Sequence, residues 1–170
     1  MNDCLTPSKK LYNELKKQGL NFFVTVPCKL LADLIRLIEN DSDIIYTPVT
    51  REEEGLGILA GAFLAGKRPA IIMQNSGLGN CINAICSLLN YYHLSIVFII
   101  SHRGTEGEKI DAQKPMGMAT KALLKAVDIK YYEISKIGEL HLVEKGIKKA
   151  YEEQKSVAFL FPFSFWRSNT

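Results

Sequence analysis

Short apolar runs and segments of helical period alternate along the whole chain. Six runs have the length and composition of buried strands, and they cover residues 22–26, 44–46, 70–73, 96–100, 130–134 and 157–161. Other segments place apolar residues three or four positions apart, which predicts helices over residues 11–19, 30–38, 52–65, 81–89, 121–126 and 140–151. Residues 102–118 are predicted to form an extended polar loop.

This order of elements predicts a doubly wound, mostly parallel six-stranded α/β sheet with helices on both faces. No repeat, low-complexity tract or linker interrupts it, so a single domain over residues 1–170 is expected. Ligands of such folds bind at the carboxyl ends of the strands. Four loops should therefore lie close together, over residues 27–29, 50–52, 74–80 and 102–116.

Composition and charge narrow the class of function. The formal net charge is only +3 and no basic block stands out, which argues against a nucleic-acid partner. No apolar run reaches the roughly 18–20 residues of a membrane span, and the first residues lack the order of a signal peptide, so no membrane partner and a cytoplasmic location are expected. Cys4, Cys28, Cys81 and Cys86 show no metal-ligand spacing, which predicts reduced, mostly buried thiols rather than disulfides, and no metal site.

The helix predicted from residue 52 begins with three consecutive glutamates. Thr50 and Glu53 have the spacing of a capping box, and any carboxylate in this turn is stabilised by the helix dipole. Helix stabilisation alone explains Glu53 and Glu54.

Glu52 fits that explanation less well. Counting forward by three and four residues from Glu52 leads to Leu56, Leu59 and Phe63, the apolar stripe of the helix. A carboxyl group on this stripe, at the ligand end of the sheet, is partly desolvated and suited to sharing a proton with a ring nitrogen. Gly57, Ala60 and Gly61 form a second stripe that permits close approach either of a neighbouring strand or of another subunit.

A glycine-containing loop joins the third strand to the next helix, with the sequence Met73-Gln-Asn-Ser-Gly-Leu-Gly-Asn80. Gly77 and Gly79 allow a tight turn, and the helix start offers N–H groups to an anion or polar ligand. The third glycine of a dinucleotide fingerprint and the Gly-Lys-Ser/Thr of a Walker A loop are both missing. Taken alone, the loop is compatible with plain turn chemistry as well as with a binding site.

These segments together resemble the pyrimidine-binding domain of thiamine diphosphate-dependent decarboxylases, in the branch of the sulfopyruvate and phosphonopyruvate decarboxylases. The resemblance extends over nearly the whole chain and rests on residues 50–67 and 73–80, with further matches at 26–28, 101–104, 106–109 and 113–117. In that superfamily the catalytic glutamate precedes the glycine of a small-residue stretch by nine positions. Counting back from Gly61 leads to Glu52, the residue that helical phase also indicates.

The resemblance implies a carbon–carbon lyase, a carboxy-lyase in which Glu52 hydrogen-bonds N1′ of the cofactor's aminopyrimidine and favours its imino tautomer. Cofactor contacts are expected from Pro27, Glu52, Asn75, Ser76 and Gly77. Substrate contacts are expected from Cys28, Gly79, Asn80, Arg103, Gln113 and Lys114, each of which has a solvated or packed role as its alternative. His102 replaces the tryptophan of the family's Trp-Arg-Gly pattern, and it is either a proton donor or a surface histidine.

The resemblance also implies a partner. No Gly-Asp-Gly motif, which holds the diphosphate through Mg²⁺, occurs in the 170 residues. A β subunit is expected to supply the Mg²⁺ and diphosphate site, with α–α contacts besides, so that the chain alone is inactive. The expected substrate is a small anionic 2-oxo acid: sulfopyruvate, which gives sulfoacetaldehyde and CO₂ in coenzyme M biosynthesis. Phosphonopyruvate decarboxylation and a catalytically silent binding module are the alternatives.

Overall fold

The computed structural model describes residues 5–168. Six parallel strands form one sheet in the order β2-β1-β3-β4-β6-β5. The strands are β1 Phe22–Thr25, β2 Ile45–Pro48, β3 Pro69–Gln74, β4 Val97–His102, β5 Lys130–Glu133 and β6 Val157–Pro162. The helices are α1 Pro7–Lys17, α2 Ala32–Glu39, α3 Glu52–Leu64, α4 Leu78–Ala84, α5 Lys114–Ala126, α6 His141–Glu152 and α7 Phe163–Arg167. The predicted doubly wound sheet is confirmed.

Helices cover both faces of the sheet because side chains of consecutive strand residues point to opposite sides. Phe23 of β1 belongs to the core cluster shared with α1, α2 and α6, whereas Val24 belongs to the cluster shared with α3, α4 and α5. The central strands β3 and β4 are almost wholly buried, as their continuous apolar runs predict. No helix among residues 5–168 has both the length and the apolarity to cross a lipid bilayer.

Three local features differ from what the sequence pattern indicated. Residues 114–118 belong to α5 rather than to a polar loop, because Pro115 starts the helix in its first turn and Met116, Thr120 and Leu124 then follow at four-residue spacing. The sequence pattern also missed α7, a short helix after β6 whose Phe165 is buried. In addition, residues Ile85–Asn90 continue α4 with π-helical hydrogen bonding, which apolar spacing does not reveal.

Gly57 and Gly61, two members of the predicted small-residue stripe on α3, do not pack against a neighbouring strand, whereas Ala60 is buried in the core. Gly57 and Gly61 are exposed, and a Cβ atom added to either would meet nothing within 4 Å. The glycine that permits close strand packing is Gly55, whose added Cβ would lie 2.7 Å from Cγ1 of Val24. Contact of Gly57 and Gly61 with a neighbouring strand is therefore excluded, and a subunit contact stays a prediction.

Candidate active site

The order of the strands creates a crevice at the carboxyl edge of the sheet between β1 and β3. The chain leaves β1 towards β2 on one side, whereas β3 lies on the other side. Open α/β sheets bind ligands at such a reversal of strand order. Pro27 and Cys28 follow β1 at this edge, and residues 75–80 follow β3. Sγ of Cys28 lies 3.6 Å from Oε1 of Gln74, so the structure brings these two predicted loops together.

Glu52 is the first residue of α3 and projects towards the loop that follows β3. Its side chain is buried, with 8% of the residue exposed. Nδ2 of Asn80 donates a hydrogen bond to Oε2 at 3.3 Å, whereas no residue within 5–168 donates one to Oε1. The other two glutamates of this turn differ, because Glu53 pairs with Arg51 at 2.6 Å and Glu54 is exposed.

The predicted capping box is wrong. Helix α3 begins one residue later than the Thr50–Glu53 spacing requires, so that Arg51 is the N-cap and makes no side-chain capping bond. The Thr50 hydroxyl instead donates to Oε2 of Glu54 at 3.2 Å. Glu53 is thereby free to pair with Arg51.

Gly77 forms the surface on which the Glu52 carboxyl group rests. A Cβ atom added to Gly77 would overlap the carboxyl carbon and Oε1 of Glu52. The backbone of Gly77 is helical, with φ −69° and ψ −18°, so its lack of a side chain serves this close approach rather than an unusual turn. The geometry makes a cradle in which a desolvated carboxyl group is held against backbone.

Cys81 lies behind the same cradle, in the core cluster of α3 and α4. Burial, together with the nearby carboxylates of Glu52 and Glu53, raises the pKa of the Cys81 thiol to about 12. Cys81 is therefore a packed thiol rather than a nucleophile. Cys28 is half-buried and Cys86 is exposed, so the described thiols are free but less uniformly buried than predicted, and Cys4 lies outside the described residues.

Sequence reasoning missed Gln74, which sits at the end of β3 in the middle of the crevice. Its Nε2 donates to Oγ of Ser76 at 2.8 Å and to Oε1 of Gln113 at 3.0 Å. Its Oε1 accepts from Sγ of Cys28 at 3.6 Å, and that sulfur is also 3.4 Å from Oγ of Ser101. Gln74 is the last residue of β3 and the first residue of the predicted ligand loop 74–80, and this position is the signal that would have identified it.

Asn75 supports the loop from inside the protein. The residue is fully buried. Its Nδ2 donates to the carbonyl oxygen of Arg103 and to Oγ1 of Thr120, and its Oδ1 accepts from the backbone N–H of Arg103. These bonds use both N–H groups and the oxygen of the Asn75 amide within the chain. The Asn75 side chain therefore has no free N–H donor for the predicted contact with a cofactor.

Arg103 was predicted to offer its charge to an anion, but in this structure its guanidinium is paired with a carboxylate. Nε and an Nη of its guanidinium donate to the Glu108 carboxylate at 2.7 and 2.8 Å, with Glu108 only 1% exposed at its side chain. The Arg103 guanidinium holds the pKa of Glu108 at about 2, well below its usual 4.5. The pair neutralises itself and braces the loop between β4 and α5, as bidentate pairs do.

Replacing Glu108 with glutamine is expected to lower the free energy of unfolding of the isolated chain by about 2 kcal/mol at pH 7, since charge-assisted hydrogen bonds are lost. Because the pKa of Glu108 is lower in the folded state, its carboxylate stabilises the fold fully at pH values above 4.5, the pKa in the unfolded chain. This stabilisation is lost as the pH falls towards 2, the pKa in the folded chain. Urea unfolding of both proteins at several pH values checks this. The difference between them should shrink as pH falls through that range, and a constant difference would contradict the assigned role.

The other predicted residues lie around the crevice with less constraint. Ser76, Gly79, Asn80 and Pro27 are exposed, and Gln113 is half-buried as the residue preceding α5. Lys114 is exposed and pairs with Asp111 at 2.7 Å.

His102 is not a surface histidine. Its side chain is 2% exposed, and Nε2 lies 3.1 Å from the carbonyl oxygen of Gly117. Burial lowers the pKa of His102 below its usual range. Within residues 5–168 no group of three or more His, Cys, Asp or Glu residues has the arrangement of a metal site.

The chain is similar along its length to proteins of known name. It is 43% identical over 166 residues to the sulfopyruvate decarboxylase subunit alpha of Methanothermobacter thermautotrophicus, with 94% of this chain and 97% of that one covered. It is 45% identical over 160 residues to the corresponding subunit of Methanocaldococcus jannaschii, at 94% and 95% coverage. The chain belongs to the family of sulfopyruvate decarboxylase alpha subunits. No protein-family model matches it.

Two longer relatives match this chain over part of their own length. The sulfopyruvate decarboxylase of Methanosarcina acetivorans is 33% identical over 166 residues, which are 97% of this chain and 42% of that one. The phosphonopyruvate decarboxylase of Streptomyces viridochromogenes is 39% identical over 114 residues, 66% of this chain and 29% of that one.

Solved structures share the fold. The 2-oxoglutarate:ferredoxin oxidoreductase from Magnetococcus marinus superposes with a TM-score of 0.72 at 13% identity, covering 95% of this chain and 29% of that one. The thiamine diphosphate-dependent 4-hydroxybenzoylformate decarboxylase of Rhodococcus jostii superposes with a TM-score of 0.69 at 20% identity, covering 96% and 31%. At these identities the likeness concerns the fold alone.

Proposed function

We propose that this chain is the subunit that binds and activates the aminopyrimidine half of thiamine diphosphate in a two-subunit sulfopyruvate decarboxylase. The observation that carries the proposal is the Glu52 carboxyl group, held on Gly77 with Oε1 not hydrogen-bonded within residues 5–168. End-to-end similarity to relatives named as alpha subunits supports the same function.

The cradle fits an aminopyrimidine. A ring nitrogen that takes a proton needs a carboxyl group that is shielded from water and fixed in direction, and Glu52 meets both needs through burial and the Asn80 hydrogen bond. When bound, thiamine diphosphate supplies the electron sink that allows a 2-oxo acid to lose CO₂. Glu52 would hold and return the proton at N1′, while Pro27, Ser76 and the Gly77 backbone would flank the ring.

The substrate would enter the same crevice from its polar side. Gln113, Ser76 and Asn80 carry hydrogen-bond donors there, with the backbone N–H group of Gly79 beside them, and an anionic tail needs such donors. Cys28 would line the base of the pocket. Because Arg103 is paired with Glu108, we assign it to bracing the loop rather than to the anion.

The proposal includes a partner. A β subunit would carry the Mg²⁺ and diphosphate site and close the crevice, and alpha subunits would also contact one another, in a cytoplasmic enzyme. The overall reaction takes up one proton and converts 3-sulfopyruvate to sulfoacetaldehyde and CO₂. Phosphonopyruvate is the second candidate substrate, favoured by the similarity to the Streptomyces enzyme.

The proposal predicts that the isolated chain releases no CO₂ from sulfopyruvate, and that activity appears when it is combined with a Gly-Asp-Gly-bearing partner subunit, thiamine diphosphate and Mg²⁺. The partner alone is the control. We expect kcat/KM at least about tenfold higher for sulfopyruvate than for phosphonopyruvate, the size of one charge-assisted hydrogen bond. A reversed ratio would favour the second substrate, and absence of CO₂ from both would overturn the assignment.

A further inference from the structure

We propose that Gln74 is a positioning residue that makes the crevice a donor-rich site for an anionic substrate. This inference rests on the proposed function and goes beyond it, since it concerns how the pocket acquires its preference for negative charge. Gln74 ends β3 and is hydrogen-bonded to residues of three separate loops, through Cys28, Ser76 and Gln113.

The hydrogen-bond capacity of Gln74 is used within the protein. A side-chain amide has two N–H donors, and those of Gln74 go to Ser76 and Gln113. Its oxygen accepts from the Cys28 thiol. No donor is left for a substrate, so Gln74 acts through its neighbours rather than by direct contact.

The direction of these hydrogen bonds determines which donors of Gln113 and Ser76 remain free for a substrate. Gln113 accepts at Oε1, and within residues 5–168 its two Nε2 hydrogens are donated to no residue. Ser76 likewise accepts, and its hydroxyl hydrogen has no acceptor in the described part of the chain. Gln74 therefore leaves three polar hydrogens available at the crevice, which suits a sulfonate or a carboxylate.

The sheet holds Gln74 in the orientation that this requires. Gln74 is paired in register with Ser101 of β4, and the Ser101 hydroxyl lies 3.4 Å from the Cys28 sulfur that donates to Gln74. Cys28, in the loop after β1, thus holds the amide oxygen, and Ser101 of β4 in turn contacts Cys28. The amide nitrogen faces the two loop residues as a consequence.

The test in the reconstituted enzyme is Gln74→Met, which keeps length and removes all three hydrogen bonds. We expect KM for sulfopyruvate to rise about tenfold while kcat changes by less than about threefold, because one charge-assisted contact is lost from binding. Gln18→Met is the matched control, since it also loses a side-chain hydrogen bond, to Glu14, but lies in the turn after α1. A loss in kcat with KM unchanged would overturn the proposal.

The combination with Gln113→Met makes the test specific. If Gln74 works by directing Gln113, the double variant should raise KM no more than about threefold beyond either single variant, since coupled residues are not additive. If the rise in KM of the double variant equalled the product of the rises in the two single variants, the two residues would act separately, which would contradict the proposal.

Alkylation of the isolated chain tests the network without partner, cofactor or substrate. In Gln74→Met we expect iodoacetamide to label Cys28 about fivefold faster, because the thiol loses its acceptor, while exposed Cys86 keeps its rate and buried Cys81 stays unlabelled. An unchanged Cys28 rate, or equal acceleration at Cys81, would overturn the positioning role. If labelling changes as expected but the reconstituted enzyme is inactive on both substrates, the proposed function fails and the network stands.

Discussion

Replacing Glu52 with glutamine is expected to lower kcat of the reconstituted enzyme by about a thousandfold. The amide keeps the shape of the side chain and its place on Gly77, but it cannot take up and release a proton at the pyrimidine nitrogen. Loss of a positioned acid–base group costs roughly 10²–10⁴ in rate. Release of CO₂ under saturating substrate measures the effect, and size-exclusion chromatography should show unchanged assembly with the partner.

Glu54→Gln is the matched control because it lies in the same first turn of α3 and is exposed. Its kcat should stay within about twofold of the unmodified enzyme, as surface substitutions usually have small effects. Substantial activity in Glu52→Gln, or equal losses in both variants, would remove Glu52 from the reaction.

The second large effect is expected from Gly77→Ala, since the added methyl group would overlap the Glu52 carboxyl group. Displacement of a catalytic group by about an ångström costs on the order of a hundredfold in rate. The free energy of unfolding should fall by about 1–3 kcal/mol, the usual result of overpacking. Because the backbone of Gly77 is helical, alanine itself is tolerated there and the effect is steric.

Gly138→Ala controls for the loss of a glycine, because a Cβ atom at that position meets nothing within 4 Å. It should leave kcat and the midpoint of thermal unfolding unchanged. If Gly77→Ala kept full kcat with lowered stability, the carboxyl group would not depend on this contact for its position.

The sheet and the burial of Glu52 could be predicted from the sequence alone, because both follow from the spacing of apolar residues along the chain. Continuous apolar runs such as residues 96–100 have few alternatives to buried parallel strands. The spacing of Glu52, Leu56 and Leu59 predicts a shared face, and all three are buried. Apolar periodicity sustained over several residues was therefore a reliable guide to strands and buried faces.

Pairings that form only in three dimensions were not predictable in the same way. From the sequence alone, Arg103 was predicted to be a free cation. In the folded loop, Glu108 lies against Arg103 and pairs with it. Gly57 and Gly61 share the composition of a packing stripe, but the rotation of α3 turns Gly55 to the sheet instead. Gln74 acquires its role from three loops at once, which no local spacing encodes.

The predicted capping box was wrong because the start of α3 is displaced by one residue. Thr50 and Glu53 satisfy the spacing of a capping box, yet the observed start of α3 leaves Thr50 outside the helix and pairs Glu53 with Arg51. Helix boundaries shift by one residue at little cost, so a motif defined by a single offset is easily displaced.

A crystal structure of the alpha–beta complex with thiamine diphosphate and Mg²⁺ would test the central claim most directly, through the distance between the Glu52 carboxyl group and N1′ of the aminopyrimidine. We expect one carboxyl oxygen, Oε1, at a hydrogen-bonding distance of about 2.6–3.0 Å. A pyrimidine ring bound elsewhere, with Glu52 turned to bulk solvent, would contradict the account.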